Sequence, residues 1–200
     1  MYFSMSITNY KRMLLGPYFT LQLCCCSVEI LYPFITYSDY NILCLHFFIG
    51  CGLWNITEYI YHRFLQHHFF YASHKSHHTN PSNEKYIHLS FLLTQGLSPL
   101  FIYILYSRIG IFSGFIFSGL VFELSHFISH NYLDTNITKF IFKETKRYHT
   151  LHHKKETSNF GFLTPTYDYI FNTMNDKSEY RTHELLLGLV FPILLFVNKF

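Results

Sequence analysis

Residues 40–78 read YNILCLHFFIGCGLWNITEYIYHRFLQHHFFYASHKSHH, and the change of character near residue 60 decides the fold. Residues 40–60 carry a single charge, Glu58. As a helix they are long enough to cross a hydrocarbon core, which takes about 20 residues. Residues 61–78 are more polar and hold His62, His67, His68, His74, His77 and His78. An apolar helix thus delivers a cluster of imidazoles to one of its ends.

Outward from this stretch the pattern recurs. Apolar runs cover residues 14–37, 87–106 and 109–128. Pro17 and Glu29 interrupt the first, and Pro99 predicts a kink in the second. A shorter run, 185–197, is broken by Pro192 and suits an interfacial, re-entrant or buried segment. The expected fold is all-α and integral to the membrane. It has about four transmembrane helices in two hairpins, under a helical, histidine-rich metal-binding cap. One domain spans residues 1–200, with the histidine region at about 58–173.

Composition agrees. With 200 residues the chain suits one domain, and 14% charged against 20% aromatic residues excludes a disordered chain or a coiled coil. A net charge of +3 without a recognition motif excludes nucleic acid as a partner. Cys24, Cys25, Cys26, Cys44 and Cys51 lie in apolar stretches without CxxC spacing, which reads as buried, reduced thiols. Residues 1–13 are too polar for a signal peptide. The turns Ser38-Asp39 and Ser107-Arg108 hold one of the 15 basic residues, and 13 fall on the opposite side. The positive-inside rule places that side, and the histidines, in the cytosol.

Ten of the 14 histidines form four clusters: His62 and His67 (HxxxxH), His74, His77 and His78 (HxxHH), His126 and His130 (HxxxH), and His149, His152 and His153 (HxxHH). Residues three and four apart share a helix face, so HxxHH and HxxxH each aim imidazoles at one point. HxxxxH is looser and fits a helix end. With four spans all four clusters emerge on one membrane face. His46, His68, His88 and His183 are set aside as ordinary core or surface residues.

Imidazole suits zinc, copper, iron and nickel. Ten ligands exceed one ion's capacity, and two ions would take about five each, leaving an open position on a six-coordinate metal. Structural zinc closes with four ligands, often cysteine, and no cysteine lies near the clusters. The HExxH of metalloproteases fails, because Glu184 after His183 is followed at the required place by Leu187. A haem protein would leave most of the ten unexplained. A metal transporter would put its ligands near mid-membrane, not at the edge.

HRFLQH, HKSHH, HFISH and HTLHH, in this order and interleaved with apolar runs, resemble the fatty acid hydroxylase / sterol desaturase superfamily of integral-membrane di-iron oxygenases. Glu58-Tyr59-Ile60-Tyr61-His62-Arg63 is similar to the start of its first box. Asn159-Phe160-Gly161-Phe162 and Tyr167-Asp168-Tyr169-Ile170-Phe171-Asn172-Thr173 resemble the segment after its last box, with Tyr167 for the usual tryptophan and Asn172 for a glycine. The resemblance implies that all ten clustered histidines bind two iron ions, which zinc can replace in purified protein. It implies an O2-dependent hydroxylase or desaturase acting on a lipid C–H bond, fatty acyl, sphingolipid or sterol, with a carotenoid hydroxylase as the alternative. The His-Pro-Gly-Gly signature of a fused cytochrome b5 domain is not found. The expected electron donor is therefore a separate cytochrome b5 or ferredoxin, and the expected location in a eukaryote is the endoplasmic reticulum.

Metal-bound imidazoles need partners that orient them. Glu58, four residues before His62, and Glu123, three before His126, share a helical face with a ligand; Asp168 lies in the tail. These three are the candidate orienting groups, against a plain reading as helix-end ion pairs. The non-enzymatic alternatives are a metal-binding membrane protein and a metal transporter.

Overall fold

The computed structural model describes residues 17–36, 38–79, 108–131 and 136–175. Helix α1 is Pro17–Thr36, α2 is Tyr40–Ile60, and α2 passes directly into a π-helix at Tyr61–Phe69. Then come α3 (Tyr71–Thr79), α4 (Ile109–Asn131), α5 (Asn136–Lys154) and the short α6 (Thr166–Ile170). Among the described residues every regular element is helical. The runs at 87–106 and 185–197 lie outside them.

Local chemistry explains the boundaries. Pro17 is the first described residue of α1, and Pro33 lies within the helix. Asp39 caps α2: its Oδ1 accepts from the Asn41 and Ile42 amides at 3.1 and 3.2 Å. Two helices among the described residues are long and apolar enough to cross a bilayer, Tyr40–Phe69 and Ile109–His130. Both begin away from the histidines and end among them.

These two helices meet backbone to backbone. A Cβ at Gly50 would lie 1.9 Å from the Ile111 carbonyl oxygen, and one at Gly114 would lie 1.8 Å from that of Phe47. Cys51 Sγ donates to the Gly114 carbonyl at 3.4 Å, as a buried thiol. Small residues permit this approach, as they do between membrane helices generally. The exposed Cys44 departs from the expectation that the thiols are buried. Helix α1 joins the pair: Ser113 Oγ donates to the Ile30 carbonyl at 2.9 Å, and Phe34 meets Phe47 edge-on at 5.7 Å.

Farther along, Trp54 packs with Phe162 and Leu163, and its ring meets Phe115 at 5.0 Å and Phe122 at 5.9 Å. The chain beyond α5 therefore returns to cover α2 and α4. Replacing Gly50 by alanine should cost at least about 1–3 kcal/mol, the usual penalty of overpacking, because backbone cannot yield to the new methyl. Ile35→Ala, at a residue 81% exposed, should move stability by under about 0.5 kcal/mol. Thermal unfolding in detergent measures both.

Candidate metal centre

The π-helix explains the HxxxxH spacing. In an α-helix, residues five apart point about 140° apart. The wider i to i+5 winding over Tyr61–Phe69 returns the chain to the same face after five residues. The His62 and His67 rings thus sit 5.1 Å apart. The spacing alone suggests a helix end. The box does lie in the last turns of the continuous Tyr40–Phe69 helix, and there the winding changes.

All ten clustered histidines come together. His62, His67, His74, His78 and His152 form one group, with ligand nitrogens all within 4.8 Å of one another; His77, His126, His130 and His149 form a second. His153 adjoins the second, with Nε2 3.0 Å from that of His149, and its ring is 4.2 Å from His78 of the first. The HxxxxH box goes whole to the first group and the HxxxH box whole to the second. Each HxxHH box is divided. On α3, His74 and His78 face the first group and His77 the second. On α5, His152 faces the first, while His149 faces the second. Residues i and i+4 diverge by only about 40° around a helix, whereas i+3 and i+4 diverge by about 100°. Of the two or three imidazoles that an HxxHH spacing can aim at one point, each box here aims two, and the remaining histidine turns to the other group.

The nitrogen separations within each group are those of ligands that share an ion. Nε2 to Nε2 separations are 3.1 Å for His62–His74, 2.9 Å for His74–His78 and 3.2 Å for His67–His152. In the second group they are 3.1 Å for His77–His126, 3.1 Å for His126–His130 and 2.8 Å for His130–His149. For metal–nitrogen bonds of about 2.1 Å, adjacent ligands are about 3.0 Å apart in octahedral geometry and about 3.4 Å apart in tetrahedral geometry. The first group alone offers five donors, one more than a closed structural zinc site takes.

Two imidazoles have their tautomers fixed. His152 Nδ1 donates to the Ser158 carbonyl at 2.7 Å, and His62 Nδ1 donates to the Phe160 carbonyl. Both Nε2 lone pairs are then free and directed inward. The carbonyls belong to a loop held by carboxylates. Asp168 accepts from the Phe160 and Gly161 amides at 2.8 and 2.6 Å and from Thr173 Oγ1 at 2.7 Å. Glu58 accepts from the Phe162 amide at 3.0 and 3.2 Å. Glu58 and Asp168 thus bond the loop, not an imidazole: Asp168 holds the Phe160–Gly161 peptide that meets His62, and Glu58 holds the peptide after it. Glu123 is buried, and its Oε1 has no hydrogen-bond partner among the described residues.

Sequence reasoning misses the two carbonyl acceptors, because any residue supplies a carbonyl. It also misses Tyr59, whose hydroxyl accepts from Arg63 at 2.8 Å and pairs with Thr173 Oγ1 at 2.9 Å. Asn159 and Asn172 both take φ of 57°. Asparagine enters this left-handed region more readily than other side chains, which explains why Asn172 can occupy a position given to glycine in the resembling sequences.

Burial keeps the cap histidines neutral. Desolvation first, then neighbouring imidazoles, lowers His77, His78 and His153 to about 3. His74, His149 and His152 are also lowered, for the same two reasons. Desolvation raises Asp168 to about 6 against its hydrogen bonds. Neutral imidazoles are the form that binds metal.

This is a helical protein whose apolar helices carry two adjacent polyhistidine sites suited to transition metals. The chain belongs to the fatty acid hydroxylase family, whose domain matches residues 47–173. A rice (Oryza sativa subsp. japonica) protein named very-long-chain aldehyde decarbonylase GL1-7 is 28% identical over 142 residues, covering 60% of this chain and 22% of the relative. Protein CER1-like 2 of Arabidopsis thaliana is 27% identical over 144 residues, covering 62% of this chain and 23% of the relative. The chain thus spans less than a quarter of the length of these relatives. No solved structure matches it.

Between about pH 3 and the ordinary histidine value of 6.5, the cap imidazoles bind fewer protons folded than unfolded. Stability of the metal-free protein should therefore fall as pH drops through that window. Asp168 opposes this with a single proton between its ordinary 3.8 and about 6. Thermal melts from about pH 7.5 down to 5 measure the net effect, and a midpoint that holds steady would contradict buried neutral imidazoles. Separately, Asp168→Ala should release the 160–161 amides and weaken metal binding by about 10–100-fold, the usual cost of losing an orienting partner. Chelator competition reads that affinity without any turnover.

Proposed function

We propose that the protein is a membrane-embedded di-iron oxygenase that hydroxylates or desaturates a lipid C–H bond with O2. The convergence of ten neutral imidazoles into two adjoining groups carries the reading, and family membership supports it. The ten histidines are the proposed ligands. When bound, the metal pair supplies O2 activation and C–H oxidation.

The chain's own residues supply position and dryness. The Ser158 and Phe160 carbonyls hold His152 and His62 with their lone pairs inward. Phe162 packs on His126 at 5.2 Å and on His149 at 4.7 Å, and Phe160 packs on His67 at 5.2 Å. These rings keep water from one side of the site, which strengthens electrostatic interactions and limits side reactions. Both long apolar helices end at the histidines, so a lipid lying alongside them reaches the site from the membrane.

The wider reading is one domain over residues 1–200, four spans in two hairpins, and a site on the cytosolic face, on the endoplasmic reticulum in a eukaryote. A separate cytochrome b5 or ferredoxin supplies electrons. The rice relative's name adds a third outcome for the same site, a reaction on a very-long-chain aldehyde.

Expression in a host containing sterol, ceramide, carotenoid and aldehyde pools tests the proposal by lipid mass. One added oxygen indicates hydroxylation, two lost hydrogens desaturation, and a shortened hydrocarbon decarbonylation. His152→Ala should reduce product by at least about 100-fold, more than loss of an orienting partner costs, whereas His68→Ala should leave it unchanged. Metal uptake into proteoliposomes without O2 consumption would instead favour a transporter.

A further inference from the structure

Outside the metal centre, one surface has no protein partner among the described residues. Ile42, Leu45, Ile49, Leu53, Ile60 and Phe64 are all exposed, at steps of three, four or seven residues. They form one face of the Tyr40–Phe69 helix, opposite the buried Gly50, Cys51, Trp54 and Glu58. In a membrane, this is the face that meets lipid. In α6, Thr166 and Asp168 are buried, but the three consecutive residues Tyr169, Ile170 and Phe171 are exposed at 42, 54 and 49%. Runs of exposed apolar residues are unfavourable in water unless something covers them.

Two observations indicate the cover. First, Phe171 stacks on Tyr59, with centroids 5.3 Å apart and planes at 14°, and Tyr59 immediately precedes the lipid-facing Ile60. The exposed Phe171 thus covers the buried Tyr59 ring and sets the α6 corner at the level of Ile60, beside the lipid-facing stripe. Second, its depth is set. From Tyr40 to Tyr59 an α-helix rises about 28 Å, close to the roughly 30 Å hydrocarbon thickness. Tyr59, and Phe171 beside it, then lie at the boundary between acyl chains and headgroups. Arg63 is at the same level. Its guanidinium donates to Tyr59 at 2.8 Å and lies 5.0 Å over the Phe64 ring, a placement that suits a cation near lipid phosphate.

We propose that Tyr169, Ile170 and Phe171 form a foot seated in the phospholipid interface, so that the histidine cap rests on the same bilayer its helices cross. This rests on the membrane reading of the chain. It gives α6 two attachments: lipid on its outer side and, through Asp168, the loop that orients His62 on its inner side.

Fluorescence depth measurements test it. The chain has one tryptophan, so Trp54→Phe provides a silent background. Into this go Ile170→Trp, Tyr169→Trp as a second foot position, Leu45→Trp on the lipid-facing stripe and Lys154→Trp on the exposed end of α5. Each full-length protein is reconstituted in phosphatidylcholine/phosphatidylglycerol vesicles with acyl-brominated lipid or aqueous iodide, after gel filtration confirms folding. A side chain seated about 5–10 Å into the boundary should lose at least about twofold of its emission to bromolipid and little to iodide. Tyr169→Trp and Ile170→Trp should match Leu45→Trp and contrast with Lys154→Trp. If both foot positions respond to iodide alone, or are shielded from both quenchers by a second copy or another protein, the foot is overturned while Leu45→Trp upholds the membrane reading. If Leu45→Trp also fails to respond to bromolipid, the membrane reading and the foot fall together.

Discussion

Ten imidazoles whose Nε2 atoms stand about 3 Å apart form an arrangement that the chain's own atoms satisfy poorly. With Nδ1 of His62 and His152 donating to carbonyls, their inward nitrogens present lone pairs toward other imidazoles. Lone pairs at that separation repel unless a proton or a cation lies between them. Burial keeps the cap imidazoles neutral with one N–H each, and a single proton cannot bridge both contacts that the Nε2 of His74 makes, to His62 and to His78, whereas a cation shared by all three can. Much of the structure around them serves to hold this arrangement in place. The glycine contact fixes the two long helices, the π-helix turns His67 onto the face of His62, and the tail carboxylates hold the loop that sets two tautomers.

The metal centre is legible in the sequence to the extent that spacing encodes direction. Three- and four-residue intervals between histidines survive in any α-helix, so the boxes and their common location can be read. Winding and partition cannot. Nothing in the spacing of His62 and His67 says that five residues will make a full turn there. Nor does HKSHH or HTLHH say which of its histidines faces which group, because that depends on how α3 and α5 are rotated about their axes. The carboxylates are identifiable as residues, but their action is not. Asp168 and Glu58 bond amides of a loop far from Glu58 in sequence, and only the packing of Phe162 and Leu163 against Trp54 makes that contact.

The apolar helices are the more legible part of the fold. Tyr40–Ile60 has the expected limits because Asp39 caps one end and the change to polar residues marks the other. The function rests on the same reasoning: the proposed di-iron oxygenase is read from the ligand set and the family, whereas the lipid depends on cavity shape, which histidine spacing does not encode.

The Gly50–Gly114 contact has a mechanical consequence. His62 lies 12 residues beyond Gly50, and His126 lies 12 residues beyond Gly114. Each histidine thus sits at the end of an arm about 18 Å long, pivoting at the same fulcrum. At that length each degree of splay between the helices moves the arm tips by about 0.3 Å, so about 10° would part them by a whole nitrogen–nitrogen separation. The two missing Cβ atoms, deep in the apolar region, therefore set the tolerance to which the distant metal centre is built.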